Sequence, residues 1–140
     1  MPCRNPFTLP DHLDLNLQPV VSLWERLRRG ENGMPFSDDL GLSALSNLST
    51  KAFLLRVFPP ERFRLEFLSE GLPGATGKFI DEMEPDTYFN YLRAQASATV
   101  EAAAPTHLRL TETSGHQFSR VLLPMWGNGE INMLVAAIGG

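Results

Sequence analysis

Ser114 and His116 stand two residues apart, the nearest this 140-residue chain comes to a nucleophile beside a base. The pair belongs to a Ser-Gly turn signal. No carboxylate is placed to orient the imidazole, and the Gly-x-Ser-x-Gly elbow that presents a catalytic serine is missing. We read it as a turn. The acidic residues Asp38 and Asp39, Asp81 and Glu82, and Glu84 and Asp86 lack His-x-x-x-His spacing and do not form a calcium loop. They fit helix starts and solvated faces. His107 opens a strand-like segment and reads as solvated. Cys3, the sole cysteine, lies between Pro2 and Pro6, so it excludes an internal disulfide and fits a reducing compartment. No metal ligand set is predicted.

The residues point more strongly to binding. A small-molecule site is mostly apolar with a few convergent polar groups. Phe63, Phe67, Tyr88, Phe89, Leu92 and Met125 are the expected lining of a cavity beneath a long helix. Tyr91 and Arg93, beside Asn90 and Gln95, are its candidate polar handles. Each apolar member also serves as ordinary core, the default for stripes at these periods. A second candidate surface is the helical face Val20, Leu23, Trp24 and Leu27, suited to packing on a sheet or a second copy.

Those residues need elements to hold them. Residues 117–126 and 130–138 are two apolar-rich runs joined by Gly127-Asn128-Gly129, a strong signal for a β-hairpin. Both runs are so apolar that one face must be covered by something. Residues 52–58 and 62–69 predict an earlier hairpin around Pro59-Pro60. In its second strand Phe63, Leu65 and Phe67 share one face, while Arg62, Arg64 and Glu66 take the other. Residues 107–113 alternate as a further strand. Pro19 opens a helix that Gly30 stops, with Arg26, Arg28 and Arg29 at its carbonyl end, where cations are favoured. Short helices are expected near 42–48 and 78–84. The longest runs from Pro85 and Asp86 to about Ala103, with Tyr88, Phe89, Leu92, Ala96 and Val100 on one face and Pro105 as its end.

The implied fold class is α+β: a five-stranded antiparallel sheet with helices packed on one face, plus an N-terminal helix. Residues 1–18 read as an N-terminal arm and 19–140 as one domain, in keeping with the length. A net charge of −4 and pI near 5.3 exclude a sequence-independent nucleic-acid binder, which needs a basic stripe. With neither a signal-peptide core nor a membrane-length apolar run, a cytoplasmic protein without membrane contact is expected.

Element order and local spelling together resemble a family of small stand-alone bacterial PAS proteins. The residues that carry the resemblance are Trp24, Arg28 and Pro35; Phe63-Arg64-Leu65; Thr76-Gly77; Leu122-Leu123-Pro124; and Met133-Leu134, spanning residues 20–138. One departure is Phe67-Leu68-Ser69-Glu70, where that family has Gly-Thr and a longer Gly-rich approach to the next helix. The resemblance implies a PAS-type sensory or regulatory role in signal transduction, through a ligand between sheet and helices or a partner on the sheet face and N-terminal helix.

Covalent flavin photochemistry in PAS-like domains needs a cysteine in a helix beside the sheet, and Cys3 is in the arm. Haem in PAS sensors is commonly held by a histidine on the long helix, and residues 86–104 contain none. No cofactor is therefore predicted. The expected partners are a homodimer copy and a separate signalling protein that receives the output. A ligand-free interaction module is the alternative, and a small α+β enzyme using the same cavity stands third.

Overall fold

The C-terminal hairpin forms the middle of the molecule. In the computed structural model β4 (Gln117–Gly127) and β5 (Glu130–Gly139) pair antiparallel, and β5 also pairs with β1 (Lys51–Phe58). With β2 (Arg62–Leu68) outside β1 and β3 (Thr106–Thr111) outside β4, the sheet order is β2-β1-β5-β4-β3, antiparallel throughout. The structure describes residues 17–27, 35, 51–58, 62–68, 76–82, 89, 91–111, 114–115, 117–127 and 130–139. The expected helix near 42–48, the turn residues 128–129, Cys3, Arg28, Arg29, the acidic residues 38, 39, 84 and 86, and His116 lie outside them.

Two helices cover opposite faces of this sheet. On one face α1 (Gln18–Leu27) seats Leu17, Val20 and Trp24 on Ala52, Leu54, Val121, Leu123, Val135 and Ala137. Leu17, assigned by sequence to the arm, is fully buried there. On the other face α2 (Leu92–Ala102) brings Leu92 and Ala96 to Phe53, Phe63, Phe118, Leu122, Leu134 and Ala136. Leu134 to Ile138 alternate between the two faces and are all buried. A strand covered on both sides reads as a continuous apolar run, which explains the composition of the closing hairpin.

Sequence periodicity goes astray at two bulges. The β1–β2 register passes from Leu54 opposite Phe67 to Leu55 opposite Leu65, leaving Glu66 as the extra residue of β2. An extra residue reverses the alternation beyond it. Phe67 therefore turns to the α1 face, away from Phe63 and Leu65. The same bulge resolves a charge problem. Arg56 and Arg64 oppose each other directly, a destabilising cross-strand pair. Glu66 Oε1 accepts from Arg56 Nε at 2.8 Å and Arg64 Nη2 at 2.7 Å.

Partial burial raises the Glu66 pKa, but those two guanidinium hydrogen bonds and their charges outweigh it and hold the carboxyl below the ordinary range. A depressed folded-state pKa adds stability above the unfolded value, about 4.3, that disappears as pH falls through the folded value. Glu66→Gln is expected to cost under about 1 kcal/mol at pH 7, since the pair is part-exposed. Urea midpoints of the two proteins should converge as pH drops from neutral to acid.

The second bulge leaves Asn132 extra on β5, between Met133 opposite Met125 and Ile131 opposite Trp126. A Cβ on Gly127 would collide with the Asn132 carboxamide. Since the atoms it meets are the end of one side chain, Gly127→Ala is expected to destabilise by about 1 kcal/mol or less, measured by denaturant unfolding.

Beyond β2, Ile80–Glu82 forms a single 3₁₀ turn inside the predicted 78–84 helix. The long helix is shorter than its sequence pattern. Tyr91, at its N-cap, has φ 59° and ψ 16°, a left-handed conformation through which a right-handed helix cannot run back. The predicted start at residues 85–86 is outside the described residues. Tyr91 is 72% exposed, so its strained backbone is not repaid by burial of the ring. Tyr91→Asn, which tolerates a left-handed backbone better than tyrosine, should raise stability by about 0.5–1 kcal/mol in thermal unfolding.

Candidate functional site

The sheet divides the six residues expected to line a cavity. Phe63, Phe89 and Leu92 gather on the α2 face, where the Phe89 ring meets Phe53 edge-on, centroids 5.3 Å apart at 73°. Phe67 and Met125 belong to the α1 face. Tyr88 is outside the described residues. Tyr91 and Arg93 are exposed rather than turned into the layer between helix and sheet.

The polar centre of the α2 face is built from other residues. Arg120 on β4 is fully buried, as are Gln95, Thr99 and Thr106 around it. Arg120 Nε donates to Gln95 Oε1 at 2.8 Å. Gln95 Nε2 returns to the Arg120 carbonyl at 3.0 Å and also reaches Thr106 Oγ1 at 3.3 Å. Thr99 donates its hydroxyl to the Gln95 carbonyl at 2.8 Å. Its 2.6 Å contact with Thr106 is then made by the Thr106 proton. This fixes the Gln95 amide, with oxygen toward the cation and nitrogen toward the carbonyl and hydroxyl. Burial pushes the Arg120 guanidinium down to about 9. Of the group, only Gln95 is a residue the sequence brings forward. Arg120 carries one faint signal: it occupies the register of the apolar Phe118 and Leu122 on the same strand.

On the α1 face, Val20 and Trp24 are buried, and Leu23 and Leu27 are half-buried at the rim. The Trp24 indole Nε1 donates to the Pro124 carbonyl at 2.8 Å. Pro124 is tolerated in β4 because the β3 ladder ends at Leu122, so no neighbour requires its missing N–H. Two residues on, the Trp126 N–H donates to the Pro35 carbonyl at 2.8 Å. Trp24, Pro35 and Leu122-Leu123-Pro124, three pieces of the resemblance noted in the sequence, thus meet at one corner. There Val20, Leu23, Trp24, Leu27, Pro35, Met125 and Val135 enclose a cavity of about 10 Å³, the scale of a single water.

Among the described residues no three His, Cys, Asp or Glu side chains gather to hold a metal. None of the described helices is long and apolar enough to cross a membrane. No family model matches the chain, and no curated protein matches it. Among solved structures it is similar to one described as "Structure of an RNA-binding Light-Oxygen-Voltage Receptor", with 16% identity and a TM-score of 0.44. The match covers 96% of this chain and 37% of that one, so the chain spans little more than a third of the receptor's length. The antiparallel β2-β1-β5-β4-β3 sheet, with α2 laid on one face and the N-terminal helix on the other, is a PAS-like α+β fold.

Proposed function

We propose that this PAS-like domain is a non-enzymatic sensory or regulatory module, in which a small ligand on the α2 face changes how α1 docks on the opposite face. The observation that carries this reading is the double use of β4. Arg120 is held by α2 through Gln95, and four residues along the same strand the Pro124 carbonyl is held by α1 through Trp24. A ligand shifts such an equilibrium only by the difference in its affinity for the docked and undocked states. A strand gripped from both sides is a physical route by which contact on one face enters that difference.

A docked α1 keeps Val20 and Trp24 on its own sheet, so a homodimer or signalling partner that uses this helix must take α1 after it has left. Receipt of the signal by a separate chain is part of the proposal. Native mass spectrometry of freshly purified protein, with an absorbance spectrum, is the test. A bound small molecule supports the ligand reading. A bare protein that dimerises in sedimentation, and loses the dimer on deletion of residues 1–29, replaces it with an interaction module.

A further inference from the structure

Beyond Leu122 the outer edge of β4 has no neighbouring strand among the described residues, since the β3 ladder ends there and β5 occupies the opposite edge. Such an edge leaves backbone groups that need partners. Two are supplied from outside the sheet. The Trp24 indole N–H donates to the Pro124 carbonyl and, two residues on, the Trp126 N–H donates to the Pro35 carbonyl, each at 2.8 Å. Residues two apart on a strand direct their backbone groups to the same edge. Trp24 of α1 and Pro35 therefore stand side by side where a further strand would run. They also share one hollow, for Trp24 and Leu27 of α1, Pro35, and Met125 of β4 all line the small cavity at this corner. Atoms that face a void lack contacts on that side, so the seam between α1, Pro35 and β4 is held less firmly than a filled one.

We propose that α1 and Pro35 form one clasp on β4: they dock and leave as a unit, and their departure bares the β4 edge from Pro124 to Trp126. The inference rests on the reading above that α1 docks and undocks, and names the part that moves. Each half depends on the other. Without α1, the buried Pro35 retains Met125, Val135 and a single backbone hydrogen bond, which adds little net stability against the entropy of an ordered backbone. The ten residues of α1 in turn need their tertiary contacts to remain helical. Segments that share their contacts in this way open together, below the free energy of global unfolding.

The test is amide exchange of the full chain in rising, sub-denaturing urea, read at Val21, Trp126 and Val135. The Val21 N–H bonds the Leu17 carbonyl and reports α1, and the Trp126 N–H reports Pro35. Val135 lies on β5, paired along both edges, and reports global unfolding. Val21 and Trp126 should exchange through one opening, with protection equal to within about threefold and the same urea dependence, both faster than Val135. Trp24→Phe removes one hydrogen bond and should speed both amides by the same factor, about tenfold. Leu65, whose N–H bonds the Lys78 carbonyl at the far edge of the sheet, should gain nothing. Pro35→Ala keeps the carbonyl but trims the ring, and should speed Val21 as well as Trp126. The parent comparison stands by itself if either variant fails to fold. Trp126 as protected as Val135 while Val21 exchanges faster means that α1 leaves alone, which overturns the clasp and leaves the undocking of α1 standing. Val21 exchanging only with Val135 means that α1 has no local opening, which overturns both. None of these measurements uses a ligand, so failure of the ligand reading in native mass spectrometry is a separate result.

Discussion

Trp24→Ala is expected to destabilise the domain by about 3–5 kcal/mol, the range for truncating a large buried aromatic. Trp24 is 5% exposed and is the largest side chain that α1 brings to the sheet. Ten residues are too few to hold a helix in water without tertiary support, so the loss of this anchor removes the reason for α1 to be helical. The consequence extends beyond the helix. Leu54, Val121, Leu123, Val135 and Ala137 lose their cover, and the Pro124 carbonyl loses its donor. Trp24→Phe separates these effects. It keeps most of the buried area and removes only the N–H, at about 1–2 kcal/mol for an orphaned buried carbonyl. Denaturant unfolding gives the magnitudes, and amide exchange at Val21, whose N–H bonds the Leu17 carbonyl, reports whether α1 has frayed. A loss below about 1 kcal/mol with unchanged Val21 protection would mean that α1 does not depend on its tryptophan, against the usual cost of such a truncation.

The same docking shows what the sequence made legible. The closing hairpin was readable because its turn signal and its two apolar runs are local, and β4 and β5 pair as those runs require. Their unbroken hydrophobicity called for a cover. The sequence reading asked for that cover on one face; the structure lays α1 on one face and α2 on the other, and Leu134 to Ile138, all apolar, alternate between them. Phe67 was misplaced because a strict period of two cannot register an extra residue, and the bulge at Glu66 has no glycine to announce it. The long helix was read as starting at residues 85–86 because its apolar face continues back through Phe89. No composition rule places a left-handed backbone at a tyrosine. The bulge took Phe67 out of the candidate cavity, whereas Met125 left it by the plain alternation of β4, which puts Val121, Leu123 and Met125 on the α1 face. The polar group that occupies the α2 face was hidden for a different reason. Gln95, Thr99, Thr106 and Arg120 come from three separate elements, and only the β3–β4 register and the packing of α2 bring them together.

Gln95→Leu is the second large effect, expected to cost about 3 kcal/mol although it preserves volume. The substitution adds apolar surface to an apolar cluster, so transfer energy alone predicts a gain. Satisfaction decides the sign. Arg120 Nε, the Arg120 carbonyl and the Thr106 hydroxyl each lose a partner in a site with no exposed surface, and one of these groups is charged. The double variant Gln95→Leu, Arg120→Met removes the charge together with its partner. It should recover a large part of the loss, because replacing both members of a buried polar pair by apolar groups is often neutral or stabilising. Denaturant midpoints of the parent, both single variants and the double variant close a thermodynamic cycle, with a coupling of about 1–3 kcal/mol expected for residues in one network. Additivity within about 0.5 kcal/mol would show that the two side chains contribute independently, and that the guanidinium is oriented by something other than Gln95. A double variant more stable than the parent would carry the opposite lesson: the domain gives up folding stability to keep a cation between its long helix and its sheet.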